Sequence, residues 1–366
     1  MSDRISNQLA NVEAQLKTIS PHVPNAATNP AQSLSHAPSL TGTRHDTLYL
    51  EDGNLIIAAP ISTGKTMLFR VHQSMLSLQS PVFAAMFTLP HPAANRDLYD
   101  GAPFVHMPDD AEYIESLLKV LYNPSALPYK RLDPLTPLNV GPTLAMATKY
   151  EMDSLRNRIV TQLEADWPGS LPEWDRLETE VAGFTKEHTN ETNLKVDDLY
   201  LDERLPEPCA AIRLAMDMNI PKILPSAMYH LSRLSIHDDW LEARKDDRAS
   251  LGLDRTARWD LLEVSDFKLL LKLRETISEV HFRSLYNPPA KSCRTPEGCA
   301  EMWNKACCKW EQTDDHLEEM RKLANARSTQ GLCRLCWSEA RSSFSEKRVE
   351  LWDDICECIE EHTRGQ

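Results

Sequence analysis

The stretch FRVHQSMLSLQSPVFAAMF, residues 69–87, changes its hydrophobic period partway along. Met67-Leu68-Phe69-Arg70-Val71 is a short apolar run bounded by polar residues, which predicts a strand. Downstream the apolar residues recur at helical spacing: Met75 and Leu78 on one face, then Val82, Phe83, Met86 and Phe87. Between the two helical runs stands Ser80-Pro81. Serine is a preferred N-cap because its hydroxyl accepts a first-turn N–H, and proline suits the first helical position, where no intrahelical donor is needed. A strand followed by two short helices is the seed of the fold.

Upstream, Thr47 to Leu50 predicts a strand and Leu55 to Ile57 another apolar run. Glu51-Asp52-Gly53-Asn54 between them is a turn, with Gly and Asn expected in left-handed backbone. The loop from Ala58 to Thr66 is long for a compact hairpin. Downstream, Phe104 to Met107 predicts a strand, and Asp109 or Asp110 caps a helix carrying Ile114, Leu117, Leu118 and Leu121. Asn123-Pro124 closes it, and a Pro-rich segment leads to a longer helix near 138–164, with Leu144, Ala147, Leu155, Ile159 and Leu163 inward. From about residue 196 the pattern is almost wholly helical, cut into short pieces by Pro206, Pro208, Pro221 and Pro225. Leu261 to Leu273 fits a strand or a buried helix equally. Residues 242–255 read as a charged exposed loop, and the last helix is expected near 338–361. The expected organisation is an amphipathic helix at 1–19, a flexible linker at 20–44, an α+β domain at 45–165, a second linker at 166–195, and a mainly helical region at 196–366 with a cysteine-rich end.

The chain has 366 residues, 42% hydrophobic and 26% charged, which excludes wholesale disorder and a rod-like coiled coil. With 40 Lys and Arg against 54 Asp and Glu, the formal net charge is -14. That disfavours a phosphate-tracking surface over the whole molecule, so no direct nucleic-acid partner is expected. No stretch approaches 18 consecutive apolar residues, and no basic segment followed by an apolar one opens the chain. The expectation is a soluble intracellular protein with no membrane partner; nucleus and cytoplasm are not distinguished.

Phe69-Arg70-Val71-His72, Leu76, Ser80-Pro81-Val82-Phe83 and Met86-Phe87 together resemble the core signature of BTB/POZ domains. The likeness continues in order. Asp46 stands where that family opens its first strand, Val105 to Met107 fits a later edge strand, Leu117 to Tyr122 a helix ending in Leu-Tyr, and Ala145 to Tyr150 with Met152 and Leu155 the closing helix pair. The resemblance implies a small sheet covered by short helices and a role in protein binding, often as a homodimer. In some members it implies recruitment of a cullin-3-type ubiquitin ligase. Leu205-Pro206, Cys209 to Met218, Ile220 to Leu231 and the Leu332-to-Cys336 element resemble the helical region behind the BTB domain in uncharacterised proteins of mushroom-forming fungi. That second likeness brings architecture and almost no biochemistry.

Three residue sets invite a chemical reading. Gly64-Lys65-Thr66 is the end of a P-loop pattern, but Ala59 stands where its first Gly belongs and a strand follows, so no helix N-terminus is there to hold phosphates. His72, between a strand and a helix, reads as a structural histidine fixing that corner, and Ser74 and Ser80 have no acid–base partner near in sequence. No catalytic residue is assigned, and the chain is expected not to be an enzyme. The third set is the cysteines: eight of nine lie beyond residue 290. Cys333 and Cys336 form a Cys-x2-Cys pair after Gly331, a spacing that lets two thiolates face one tetrahedral zinc. Cys293 and Cys299 are the candidate second pair. The two pairs meet only if the intervening helical stretch breaks, and Thr313-Asp314-Asp315 is a plausible break and new N-cap. Cys307, three and four residues from Trp310 and Trp303, reads as core, and Cys356, Cys358 and Cys308 are set aside. Cys293, Cys299, Cys333 and Cys336 are thus either ordinary thiols or the ligands of a structural zinc, with a disulfide the minor third reading.

Two function classes stand. One is a non-catalytic interaction scaffold, oligomeric or not. The other is a substrate adaptor for a cullin-3-type ligase, although no kelch, MATH or C2H2 module accompanies the domain. Transcriptional regulation rests on family analogy alone.

Overall fold

The computed structural model describes residues 41–89, 98–190, 199–244, 255–286, 288–310, 312–327 and 329–364. The helix expected at 1–19, the linker as far as residue 40, residues 191–195 of the second linker and residues 245–254 of the charged loop lie outside them.

Strands β1 (Thr43–Tyr49), β2 (Leu55–Pro60), β3 (Thr66–Val71), β4 (Leu98–Tyr99) and β5 (Ala102–His106) form a mixed sheet in the order β1-β3-β2-β5-β4. β2 sits at its centre, antiparallel to β3 and parallel to β5. Leu55 to Ala59 are all buried, which a strand covered on both faces requires and a continuous apolar run supplies. β1 is an edge strand parallel to β3, and Thr43 and Arg44, expected in the linker, pair with Met67 and Leu68. The loop expected from Ala58 to Thr66 shrinks to residues 61–65, because Ala58, Ala59 and Pro60 continue the ladder opposite Leu68, Met67 and Thr66. The turn at Glu51 to Asn54 forms without left-handed backbone at Gly53 or Asn54. Glycine is needed at 53 for another reason: a Cβ there would lie 2.9 Å from the backbone of Arg70 and Val71.

Helices α1 (Gln73–Gln79) and α2 (Pro81–Thr88) follow β3 directly. Ser80 caps α2 as expected, accepting the Phe83 N–H at 3.1 Å, and its hydroxyl donates to the Tyr150 carbonyl at 2.6 Å. α1 turns Leu76 inward, so Leu78, two residues or about 200° further round, is 78% exposed rather than part of the inner face. α3 (Ala111–Tyr122) starts on Asp110, whose carboxylate accepts the Glu112 N–H at 3.0 Å. The long helix expected at 138–164 is two helices, α4 (Thr136–Lys149) and α5 (Asp153–Asp166). Tyr150 and Met152 are both buried, and a continuous helix would set them about 200° apart. The chain instead turns at Glu151, with φ 51.

The segment expected as a second linker is largely helix α6 (Leu171–Asn190), held by buried Leu171, Trp174, Leu177 and Val181. The remainder is helical: α7 (Pro208–Met218), α8 (Leu224–Ser232), α9 (Val264–Ser278), α10 (Phe282–Leu285), α11 (Pro296–Trp310), α12 (His316–Asn325) and α13 (Arg334–Arg364). The open Leu261–Leu273 segment thus resolves largely as helix, with the Asp266 carboxylate accepting the Glu263 N–H at 2.8 Å at its start. α7 packs on α4 of the sheet-bearing half, α8 on α7, and α13 on α8, α9 and α12. One apolar core runs from Leu48 in β1 to Ile359 in α13. Arg255, expected on an exposed loop, is drawn inward against His230 and Glu178.

Candidate metal centre

The helical stretch after the first cysteine pair breaks where the sequence allows it. α11 ends at Trp310 and Asp315 caps α12, accepting the Glu318 N–H at 3.1 Å. The same carboxylate takes the Tyr229 hydroxyl of α8 at 2.9 Å and the guanidinium of Arg233, the residue after that helix. The Arg233 charge, outweighing the effect of burial, holds the Asp315 carboxyl below the usual range. The break is therefore pinned to the body of the region. Further on, Gln330 (φ 53) and Gly331 (φ 88) turn the chain into α13, and a Cβ on Gly331 would meet the Met302 side chain at 2.5 Å. Glycine is favoured there by the left-handed conformation, since the Met302 methyl is the end of a flexible side chain that can give way.

These two reversals bring Cys293, Cys299, Cys333 and Cys336 together, with the four sulfurs all within 4.8 Å of one another. Cys293 lies on the loop before α11, its N–H bonded to the Ala290 carbonyl at 2.9 Å. Cys299 is in the first turn of α11, Cys333 immediately precedes α13, and Cys336 is in its first turn. The Sγ–Sγ separations are 3.6 Å for Cys293–Cys299 and 3.7 Å for Cys293–Cys333. A tetrahedron of sulfurs around zinc, at Zn–S about 2.3 Å, has edges of about 3.8 Å. The sulfurs thus stand at metal-ligand spacing, and no disulfide joins the cysteines of the described residues. Among those residues this is the group of His, Cys, Asp and Glu that could hold a metal ion.

Donors surround the sulfurs. The N–H of Cys333 points at Cys299 Sγ (3.3 Å), that of Cys336 at Cys333 Sγ (3.5 Å), and that of Ala290 at Cys336 Sγ (3.3 Å). The Thr295 hydroxyl lies 3.5 Å from Cys299 Sγ. Such donors orient the sulfurs. Hydrogen bonds from Thr295 and from the Cys333 N–H bring the Cys299 thiol down to about 7. Burial pushes Cys293, its neighbour, up to about 12. Below the cluster Trp303, Trp310, Trp337 and Phe344 pack ring on ring, with Phe344 at 5.9, 5.5 and 6.1 Å from the three indoles. Cys307 is fully buried in α11, as its spacing from the tryptophans implies. The sequence reading did not include Thr295 or the backbone donors. Thr295 had a signal, since Thr-Pro-Glu reads as a helix start, but the Ala290 N–H had none, because it comes from loop geometry.

At the other end of the chain the candidate chemistry dissolves into structure. The His72 N–H donates to the Tyr122 hydroxyl at 2.9 Å, its Nδ1 lies 3.0 Å from the same oxygen, and its Nε2 lies 3.4 Å from Asp52. Gly64 (φ 78) sits in the tight turn between β2 and β3, with strand rather than helix after it. The family model for the BTB/POZ domain matches residues 60–166, so the chain carries a BTB/POZ domain followed by a mostly helical region. β1 adds to the same sheet upstream of the matched residues. No curated protein matches the chain. BTB/POZ domains are in general interaction modules rather than enzymes, and dimerisation is typical of them. No described helix is long and apolar enough to cross a membrane.

Proposed function

We propose that this protein is a non-catalytic interaction scaffold. Its BTB/POZ unit at 60–166 offers the binding surface, and its helical region is a rigid extension closed at the far end by a structural zinc on Cys293, Cys299, Cys333 and Cys336. The observation that carries the reading is the continuity of the core from sheet to α13, which joins a family-level interaction module to the helices behind it. His72 and Ser80, two of the residues weighed for catalysis, are both engaged in bonds that hold corners of that module. The helical region, with its Leu332-to-Cys336 element, is read as that of the BTB/POZ proteins of mushroom-forming fungi. Four protein sulfurs leave no open coordination position, so the zinc would stabilise and would not catalyse.

The zinc half is tested by metal analysis of protein purified without nickel affinity. About one equivalent of zinc per chain is expected, together with a lower melting temperature after chelation and in Cys333→Ser and Cys336→Ser. Less than about a tenth of an equivalent in freshly folded protein, or unchanged stability after chelation, overturns it. The scaffold half is tested by titrating the purified chain with the N-terminal region of a cullin-3-type protein. No saturable binding is expected. Saturable binding would replace the scaffold with the ligase-adaptor reading.

A further inference from the structure

We infer that the cysteine centre is also an oxidation site, in which a hydroperoxide links Cys293 to Cys333 as a disulfide and expels the metal. The inference rests on the zinc reading for the metal's release, and on geometry alone for the linkage. Of the four sulfurs, Cys299 and Cys336 are 1% and 0% exposed, whereas Cys293 and Cys333 are half-buried and open to a small solute. The two reachable thiols are also neighbours, 3.7 Å apart. A disulfide requires closure to about 2.05 Å. Cys293 lies on the loop between Ala290 and the start of α11 at Pro296, outside any helix, so closing the pair need not distort a helix on its side. Cys336 is fixed within α13, fully buried, with its sulfur held by the Ala290 N–H, so the Cys-x2-Cys pair is the poorer route despite its spacing.

The chemistry balances in two steps. One thiolate sulfur attacks the distal oxygen of the hydroperoxide; the O–O bond breaks, a sulfenic acid forms, and the proximal oxygen leaves as alkoxide or hydroxide and takes a proton. The second thiolate then attacks the sulfenic sulfur, the S–S bond forms and hydroxide leaves to be protonated as water. Two thiolates are oxidised by two electrons and one peroxide is reduced. Two thiolate donors remain, too few for a closed tetrahedral zinc site, and the ion departs. Covalently, the loop before α11 becomes tied to the start of α13.

The test uses the full-length chain with its metal content measured first. Hydrogen peroxide is added in the presence of a chromophoric zinc chelator, and the protein is then alkylated, digested without reduction and mapped by mass spectrometry. Expected are release of the bound zinc in step with oxidation, a cross-linked peptide joining Cys293 to Cys333, and reversal by dithiol plus zinc. Cys308→Ser, which removes an exposed thiol outside the cluster, should respond as the parent does. A Cys333–Cys336 linkage, a sulfinic acid without any disulfide, or zinc retained after the thiols have oxidised overturns the inference. If metal analysis finds no zinc, the zinc reading fails, yet the identity of the linked pair is still read from the peptide map.

Discussion

Asp166 closes α5 with its carboxylate 3% exposed, and its environment is mixed. It accepts the Leu132 N–H at 3.1 Å and lies 3.9 Å from Arg131 Nε and 3.5 Å from the Tyr129 hydroxyl. Burial outweighs these partners and pushes its carboxyl up to about 6. An unfolded Asp titrates near 3.9. Between about pH 4 and 6 the native chain therefore holds more proton than the unfolded one, and stability falls as pH rises through that window. Above it the ionised group costs roughly 3 kcal/mol. Asp166→Asn keeps an acceptor for Leu132 and cannot ionise. Urea unfolding at pH 4 and pH 7 should show the variant gaining on the parent at pH 7 and not at pH 4. An equal difference at both pH values would mean that Asp166 is not the titrating group.

At the scale of elements, one buried cation in α13 ties that helix to two others. Arg348, buried in its middle, donates from Nε to the Leu317 carbonyl at 2.8 Å and through both terminal nitrogens to Asp175. It thereby ties α13 to the start of α12 and to α6. Arg348→Ala leaves the carbonyl and carboxylate without that partner and should cost about 3 kcal/mol. Arg348→Lys should recover little, since an ammonium cannot form the planar fork. Thermal denaturation of both variants decides, and melting temperatures unchanged from the parent would show the fork to be idle. Neither Arg348 nor α6 could be read ahead of the structure, and the reasons differ. Ser80-Pro81, Asp110 and Asp315 cap helices by bonds to their own neighbours, so short-range chemistry reveals them. The break at Glu151 depends on burying Tyr150 and Met152 against distant residues, which periodicity does not contain. α6 is an intermediate case: its stripe of Leu171, Trp174, Leu177 and Val181 was present, but Pro168, Gly169 and Pro172 mask its start. The clustering of the four cysteines was legible because the Cys-x2-Cys spacing and the Thr313–Asp315 break are both local. Their donors from Ala290 and Thr295 emerge only once loop and helix meet.

For the molecule as a whole, the question is whether the BTB/POZ unit is a bead on a string or one end of a single body. Val140, Leu144 and Ala147 on α4 are fully buried, and α7, which packs on that helix, buries Ala211, Leu214 and Ala215. A Cβ added at Gly141 would already sit 3.6 Å from Leu214. Beside this contact the Arg156 guanidinium donates to the Met218 carbonyl at 3.1 Å, at the end of α7. A chain cut after Asp166 would return much of that apolar face to water, at roughly 25 cal/mol per Å². The domain match ends at that residue, yet the packing does not. A fragment of residues 41–166 should therefore melt well below the full chain, by on the order of 10 °C for a loss of a few kcal/mol, and should self-associate through the opened α4 face. Calorimetry of the full chain should show one transition for the described body rather than two. If the fragment matches the full chain in melting temperature and stays monodisperse, the helices are an appended domain. In that event a partner could grip the BTB/POZ unit without the extension feeling it. A single shared transition means instead that binding at one end and any change at the cysteine cluster at the other act on the same folding equilibrium, since whatever binds the native body stabilises all of it.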